Sequence, residues 1–308
     1  MVHRFLAASL VVAVISTTNF LASAVGAEEV RLTAEDLVLT ANLERAGKAD
    51  LSGGVFLITH GTLAHAGMEI IAGLQKALAD RGFASLAPTL SLGLSERKGM
   101  ADCSTRQTHT HEDALDEIGL WVGWLKKQGA DSLHLVGHSR GGNQTAWFVA
   151  ERNDAAITTV SLIAPATWDE QKRADDFKNT HGFDLAPLLA KATAMVADGR
   201  GEDDLMTEDG KAAGLLYCPG AAVTARSFSG YYKADPRFHT PALLASLPVP
   251  VLVLIGSDDT TVTGLEAAVA PLARDGQVEA EVIDGADHFF RDFFIEDAAD
   301  HIEAFITR

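Results

Sequence analysis

Short runs of apolar residues, of the kind buried in protein cores, alternate with amphipathic stretches along most of the chain. Residues 55–59 (Val-Phe-Leu-Ile-Thr) follow two glycines and are apolar on both faces, which is typical of a strand inside a parallel sheet. Apolar residues then recur at helical spacing over 68–81, the pattern stops at Gly82, and residues 83–88 predict the next strand. The first part of the chain therefore predicts a strand, a helix and a second strand.

The same alternation continues towards the C-terminus. We predict helices over about 112–128, 139–152, 264–274 and 290–306, and strands over 132–136, 157–163, 249–255 and 278–283. Residues 30–45 alternate loosely and predict a β-hairpin. Strands that alternate with helices imply right-handed crossovers, so the predicted fold class is α/β, with a mostly parallel sheet and helices on both faces.

Residues 166–246 interrupt this alternation. They hold charge clusters over 169–176 and 202–204, several glycines and prolines, and short helical patterns such as 185–196. A strand resumes at Val249, and that strand needs neighbours in the same sheet. We therefore predict a largely helical insertion, or cap, over one edge of the sheet within a single domain of residues 28–308.

The first 27 residues have the pattern of a secretory signal peptide. A short basic start at residues 1–4 precedes an almost unbroken apolar run over 5–15, and small residues follow up to Ala24 and Ala27. The alternatives are a buried helix and a membrane anchor, but the apolar run is short for a span of about 20 residues. We predict cleavage after Ala24 or Ala27 and a secreted or periplasmic protein whose mature chain has no membrane span.

Composition narrows the classes of partner. A formal net charge of −17 argues against nucleic acid and against an anionic membrane surface as partners. The 47% hydrophobic content is ample for a packed core. These numbers indicate a soluble, well-hydrated exterior and say nothing about oligomeric state.

The most informative motif is the stretch from Gly137 to Gly141, Gly-His-Ser-Arg-Gly, between a predicted strand and a predicted helix. The two glycines allow a sharp turn and a close backbone approach, which presents the hydroxyl of Ser139 above the ends of the strands. The helix that begins there directs free N–H groups and its dipole towards developing negative charge. Ser139 is therefore the candidate nucleophile.

The motif and its context resemble the α/β-hydrolase fold family over about residues 50–165 and 246–308. The family's chain order of nucleophile, acid and histidine is matched by Ser139, by the turn at 256–262 and by the loop at 285–290. The resemblance implies that His288 is the base. It also implies that Asp259, rather than its neighbour Asp258, is the acid that orients this histidine.

The same resemblance implies an oxyanion hole made of two backbone N–H groups. One belongs to the residue after the nucleophile, Arg140, and the other follows the His60-Gly61 pair that ends the first predicted strand. Thr62 is the first candidate for this second donor, and Leu63 is the alternative.

Other polar residues have plainer interpretations. His138 is expected to pack, and His109 and His111 are expected to flank a helix cap, because no carboxylate or cysteine pattern supports a metal site. Tyr231 and Tyr232 are expected in the core. No cofactor or metal is implied.

The two cysteines, Cys103 and Cys218, form an even pair in a chain predicted to enter an oxidising compartment. Cys103 lies in the connection after the predicted strand 83–88, and Cys218 lies in the insertion. We predict a disulfide between them, and the alternative is two separate buried thiols.

These features and the family resemblance predict a serine hydrolase that cleaves a small-molecule ester, of small or medium size, through a Ser-His-Asp triad and an acyl-enzyme intermediate. Two alternatives stay open: thioester, lactone or peptide hydrolysis on the same fold, and a binding protein that has lost turnover. The fold does not select a substrate.

Overall fold

The computed structural model describes residues 27–47, 51–152, 154–273 and 277–308. The predicted signal peptide lies outside these residues apart from Ala27. Within them, one sheet contains eight strands. These are β1 (Glu28–Ala34), β2 (Leu37–Glu44), β3 (Val55–Thr59), β4 (Ala84–Thr89), β5 (Leu133–His138), β6 (Ile157–Ile163), β7 (Val251–Gly256) and β8 (Val278–Ile283).

The spatial order of the strands is β1-β2-β4-β3-β5-β6-β7-β8. β1 and β2 form the predicted hairpin, and both β1–β2 and β2–β4 pairs are antiparallel. The pairs from β4 through β3, β5, β6 and β7 to β8 are all parallel. Parallel strands end at the same edge of a sheet, so the loops after β3, β5, β7 and β8 meet at one edge.

Helices cover both faces of this sheet, which confirms the predicted fold class. The described helices are α1 (Glu69–Asp80), α2 (Asp113–Lys127), α3 (Arg140–Glu151), α4 (Glu170–His181), α5 (Leu185–Ala197), α6 (Ala225–Tyr232), α7 (Thr240–Leu244), α8 (Leu265–Val269) and α9 (Phe294–Ile306). The core has two layers because side chains alternate along each strand. Leu57 packs into the layer under α2 and α3, whereas Phe56 and Ile58 pack into the layer under α1 and α9.

The segment between β6 and β7 contains α4 to α7 and has an apolar cluster of its own. Phe177, Ala192, Phe228 and Tyr231 are buried in this cluster. The insertion thus buries an apolar centre while it lies against the edge of the sheet where the loops converge.

Two predicted helices differ from the observed ones. The helix predicted over 264–274 is only α8 followed by a short 3-10 turn (Ala270–Leu272), because Pro271 has no N–H to continue the α-helical hydrogen bonds. The apolar spacing predicts a start of the last helix at about Phe290, four residues before the observed start. Phe290 and Asp292 have φ angles of 48° and 55°, in the left-handed region, so the helix begins only at Phe294.

Among the described residues, none of the helices combines the length and the hydropathy that a bilayer crossing requires.

Candidate active site

Ser139 lies on a strained turn between β5 and α3. Its backbone has φ 56° and ψ −123°, a conformation that non-glycine residues rarely adopt. Glycine is required on both sides: a Cβ at Gly137 would lie 2.5 Å from the carbonyl oxygen of Gly141, and a Cβ at Gly141 would overlap the carbonyl oxygen of His60. The turn therefore depends on close backbone packing that larger residues would prevent.

His288 connects Ser139 to Asp259 by two hydrogen bonds. Its Nε2 lies 3.0 Å from Ser139 Oγ, and its Nδ1 lies 2.8 Å from Asp259 Oδ2. The histidine and aspartate side chains are only 6% and 3% exposed. Because a carboxylate can only accept, Nδ1 carries the proton and Nε2 is free to accept the serine hydroxyl proton.

Asp259, and not Asp258, contacts the histidine. The second oxygen of Asp259 accepts the backbone N–H groups of Thr261 and Val262, at 2.7 and 2.9 Å. Burial opposes ionisation of Asp259, but the hydrogen bonds from His288 and the backbone outweigh it and lower the pKa of the carboxyl. Asp258 is exposed, and its side chain accepts a bond from Ser257 Oγ at 3.2 Å.

The sheet explains how residues so far apart in sequence meet. Ser139 follows β5, Asp259 follows β7 and His288 follows β8, so all three lie at the same edge. A Cβ at Gly256 would overlap the carbonyl oxygen of Ala286, which shows how closely the acid turn and the histidine loop approach each other. The same loops are joined by a bond from Asp258 N–H to the carbonyl of Ala286, at 3.0 Å.

The two residues predicted to form the oxyanion hole line the same cavity as Ser139. Thr62 and Arg140 both border it, and a Cβ at Gly61 would lie 3.2 Å from the Cβ of Ser139, so the loop after β3 runs against the nucleophile. Within the described part of the chain, the backbone N–H groups of Thr62, Leu63 and Arg140 have no hydrogen-bond acceptor. All three are therefore available as donors, and the choice between Thr62 and Leu63 stays a prediction.

His138 has a further role that the sequence did not reveal. It is buried and packs with its ring 5.0 Å from that of His288, as expected, but its Nε2 also donates to the backbone carbonyl of His288 at 2.8 Å. Burial, followed by the nearby His288, lowers the pKa of His138 to about 4. Neutral His138 thus holds the backbone of the candidate base, and the only signal in sequence was a histidine beside the nucleophile.

Two other buried residues hold the loop after β3. His60 accepts the N–H of Leu90 at 3.0 Å, and Arg97 donates to the carbonyls of Leu90 and Ala64 at 2.6 and 2.5 Å. Burial, with the charge of Arg97 second, lowers the pKa of His60 to about 3, so it stays neutral. These bonds tie the ends of β3 and β4 together beneath the predicted oxyanion loop, and nothing in the local sequence of Arg97 indicated them.

His109 and His111 are both buried. His109 Nε2 donates to Gln107 Oε1 at 3.0 Å, and its Nδ1 accepts from the hydroxyl of Tyr231 at 2.7 Å. The Thr110 hydroxyl and N–H bond to the Asp113 carboxylate at the start of α2, at 2.6 and 2.7 Å. Among the described residues there is no group of three metal-binding side chains.

A cavity of about 490 Å³ separates the cap from the edge of the sheet. Ser139 and Arg140 border it from the sheet side, and Arg173, Leu216 and Tyr232 border it from the cap. Tyr232, expected in the core, is buried and also faces this cavity, and its hydroxyl accepts the N–H of Leu216 at 2.9 Å. The cavity has the size of a site for a small or medium ligand.

The predicted disulfide is present. Cys103 and Cys218 are bonded, with their Cα atoms 5.1 Å apart, and they are 115 positions apart in sequence. Cys103 follows β4 and Cys218 belongs to the cap, next to Leu63 of the predicted oxyanion loop. The bond therefore ties the cap to the sheet near the cavity.

Comparisons with known proteins agree with this architecture. A model of the alpha/beta hydrolase family matches residues 55–304. The structure of Est1E from Butyrivibrio proteoclasticus is similar, with a TM-score of 0.60 and 18% identity over 92% of this chain and 100% of that one.

A Pyrococcus furiosus esterase has a TM-score of 0.59 and 17% identity, over 92% of this chain and 90% of that one. E-2-(acetamidomethylene)succinate hydrolase has a TM-score of 0.57 and 19% identity, over 92% of this chain and 100% of that one. At such identities these structures show a shared fold alone. A search of curated proteins gave no significant match.

Proposed function

Because this chain belongs to the alpha/beta hydrolase family, we propose that it is a serine hydrolase that cleaves a carboxylic ester. Ser139 is the nucleophile, His288 is the general base and Asp259 orients the histidine. The observation that carries this proposal is the pair of hydrogen bonds made by His288, at 3.0 Å to the serine hydroxyl and 2.8 Å to the aspartate.

The reaction follows from these positions. His288 Nε2 takes the hydroxyl proton as Ser139 Oγ attacks the ester carbonyl, and the N–H groups of Thr62 and Arg140 stabilise the oxyanion. The protonated histidine then gives its proton to the departing alcohol, which leaves an acyl-enzyme. Water, activated by the same histidine, attacks this acyl group, releases the carboxylic acid and returns the proton to Ser139.

The size of the cavity favours a small-molecule ester over a macromolecular substrate. The cavity volume of about 490 Å³ lies within the range of small-molecule sites, and residues of the cap line one side of it. The structural neighbour from Pyrococcus furiosus is itself an esterase. Hydrolysis of a thioester, lactone or peptide would use the same residues and stays the alternative within this fold.

The first experiment tests the nucleophile. A fluorophosphonate probe should label the wild-type protein and should not label Ser139→Ala, because only an activated serine reacts. Ser246→Ala is the matched control, since the hydroxyl of this exposed residue donates to the carbonyl of Leu243, away from the cavity lining. Equal labelling of Ser139→Ala and the wild type would refute the assignment, and a folded wild type that is not labelled would favour a non-catalytic relative.

The second experiment tests the reaction class. The purified protein should hydrolyse members of an ester panel faster than matched thioesters, lactones and peptide amides, and Ser139→Ala should lose about three or more orders of magnitude in kcat. If another panel gives the higher kcat/KM while Ser139 remains essential, then the nucleophile is correct and the ester is not.

We also propose that the protein is secreted or periplasmic. The N-terminal pattern supports this, and so does the disulfide, since such bonds persist in oxidising compartments. Expression of the full chain in a bacterium should yield a periplasmic or extracellular form whose N-terminus, by sequencing, is Val25 or Glu28. An intact Met1 terminus in a cytoplasmic product would contradict the proposal.

A further inference from the structure

Two arginines border the cavity from opposite sides. Arg140 lies at the start of α3 beside Ser139, and Arg173 lies in the first turn of α4 in the cap. Among the described residues, neither guanidinium has a carboxylate oxygen within 4.0 Å. Two cations without such partners at one cavity are unusual in a chain whose formal net charge is −17.

Neutral groups hold Arg140 in place. Its Nε donates to Thr62 Oγ1 at 2.9 Å, and its Nη1 donates to His111 Nδ1 at 3.3 Å. Burial, with the charge of Arg140 second, lowers the pKa of His111 well below its usual value, so this histidine is neutral. The guanidinium is therefore positioned without being neutralised.

Arg173 is held by an aromatic ring. Its guanidinium carbon lies 3.9 Å from the centre of the Trp168 ring, and its Nε is buried without a hydrogen-bond acceptor among the described residues. Burial, followed by the charge of Arg140, lowers the pKa of Arg173 to about 10, which leaves it protonated at neutral pH. Two like charges that affect each other at one cavity would both be stabilised by an anion bound between them.

The acidic residues at the cavity already have other partners. Asp176 pairs with Lys172 Nζ at 2.9 Å, and Asp169 accepts the backbone N–H of Lys172 at 2.7 Å as the N-cap of α4. The charge of Asp176 favours the protonated form of Arg173 without forming an ion pair with it. Both carboxylates disfavour a dianion in the cavity more strongly than a monoanion.

We propose that Arg140 and Arg173 form a subsite for a carboxylate of the substrate, so that the enzyme prefers esters that carry a free carboxylate. The planar guanidinium presents paired N–H groups that match a carboxylate, and such charge-assisted bonds are among the stronger ones in proteins. The predicted preference among esters rests on the proposed function, because it requires hydrolysis. Binding of a carboxylate by the two arginines does not require that function.

Matched ester pairs test the preference. One pair is mono-4-nitrophenyl adipate and its methyl-capped diester, with the charge on the acyl side; the other is 4-acetoxybenzoate and its methyl ester, with the charge on the alcohol side. In at least one pair, kcat/KM for the charged ester should exceed that for the neutral ester about tenfold or more, and the excess should fall as salt is added. A ratio of one or less in both pairs overturns the proposal.

Variants then test the residue. Arg173→Gln should lower the charged-to-neutral ratio of kcat/KM about 10- to 100-fold, the range expected for loss of a charge-assisted bond, and Arg173→Lys should retain part of the preference. Arg200→Gln is the control: it makes the same change of charge at an exposed position of the cap and should leave the ratio unchanged. A ratio that falls equally in Arg173→Gln and Arg200→Gln would mean a general charge effect and would also overturn the subsite.

Calorimetry separates this inference from the proposed function. Hexanoate, a monocarboxylate, should bind the wild-type protein and should bind Arg173→Gln at least about tenfold more weakly. Inorganic phosphate should bind more weakly than hexanoate, and the reverse order would overturn the choice of a carboxylate. Hexanoate binding that depends on Arg173, in a protein that no fluorophosphonate labels, would support the subsite while refuting the hydrolase. Labelling without hexanoate binding would support the hydrolase and overturn the subsite.

Discussion

Replacement of Asp259 by asparagine tests how the structure sets the proton position on His288. Asp259 Oδ1 accepts two backbone N–H groups, from Thr261 and Val262, and Oδ2 faces His288 Nδ1. In Asp259→Asn, the amide oxygen must occupy the first position, because the amide nitrogen cannot accept these two bonds. The amide nitrogen of the new side chain then donates towards His288 Nδ1.

The consequence for catalysis follows from the tautomer. When Nδ1 accepts, the proton of the neutral ring moves to Nε2, which then cannot take the proton of Ser139. We expect kcat to fall by about 10⁴, which corresponds to about 5.5 kcal/mol of transition-state stabilisation. Stability should change less, because both backbone bonds are retained and a single charge-assisted hydrogen bond, worth about 1.5–3 kcal/mol, is lost.

The measurement is kcat on a neutral ester, with urea unfolding of the same preparations. Asp258→Asn is the matched control, since it makes the same chemical change at an exposed neighbour whose side chain bonds to Ser257 rather than to His288. It should retain kcat within a few-fold. A larger loss in Asp258→Asn than in Asp259→Asn would refute the reasoning and would transfer the acid role to Asp258.

Three further predictions concern positioning and stability. Cys218→Ser and Cys103→Ser should each lower the free energy of unfolding, relative to the wild type, by up to about 4–5 kcal/mol, the loop-entropy limit for a separation of 115 residues. The measurement is urea unfolding without reductant, and unchanged stability in both variants would mean that the bond constrains little. His138→Phe should lower kcat on a neutral ester more than it raises KM, because the carbonyl of His288 loses its donor, and a change in KM alone would indicate a role in packing only. The pKa values of His60 and His138 are about 3 and 4 in the folded state and near 6.5 in the unfolded state, so the unfolded state binds more protons below pH 6.5. The free energy of unfolding should therefore fall as pH drops from about 6.5 to 4, by at most about 1.4 kcal/mol per pH unit for each histidine. Glu117 partly offsets this fall, because burial raises the pKa of its carboxyl to about 7. If the free energy of unfolding of His138→Phe depended on pH as steeply as that of the wild type, the result would contradict this prediction.

The local pattern of the chain was enough to predict its class of fold. A strand buried on both faces must be apolar throughout, and a helix on a sheet must be apolar on one side, so these two periods are present in the sequence before folding. The same reasoning failed where backbone geometry overrides side-chain periodicity. Pro271 ends α8 early, and the left-handed backbone of Phe290 and Asp292 delays α9 although the apolar spacing continues.

The candidate nucleophile was predictable for a similar reason. The glycines of the turn are dictated by backbone clashes within a few residues of Ser139, and such a local constraint is visible as a motif. The resemblance to the family supplied His288 and Asp259. The disulfide was predictable because Cys103 and Cys218 are an even pair in a chain expected to enter an oxidising compartment.

Other features depended on the tertiary structure. The bond from His138 to the backbone of His288 joins residues 150 positions apart. The approach of Arg173 to the cavity that Arg140 borders depends on how the cap lies over the sheet. The hydrophobic periodicity of the sequence does not predict such contacts. They arise only when the parallel strands bring their ends to one edge of the sheet and the cap packs over that edge. The sequence alone determined which elements form and which serine lies on the turn between a strand and a helix. The packing of the cap against the sheet decided which charges border the cavity beside that serine. The physical reason is that electrostatic interactions depend on distance and burial rather than on order along the chain.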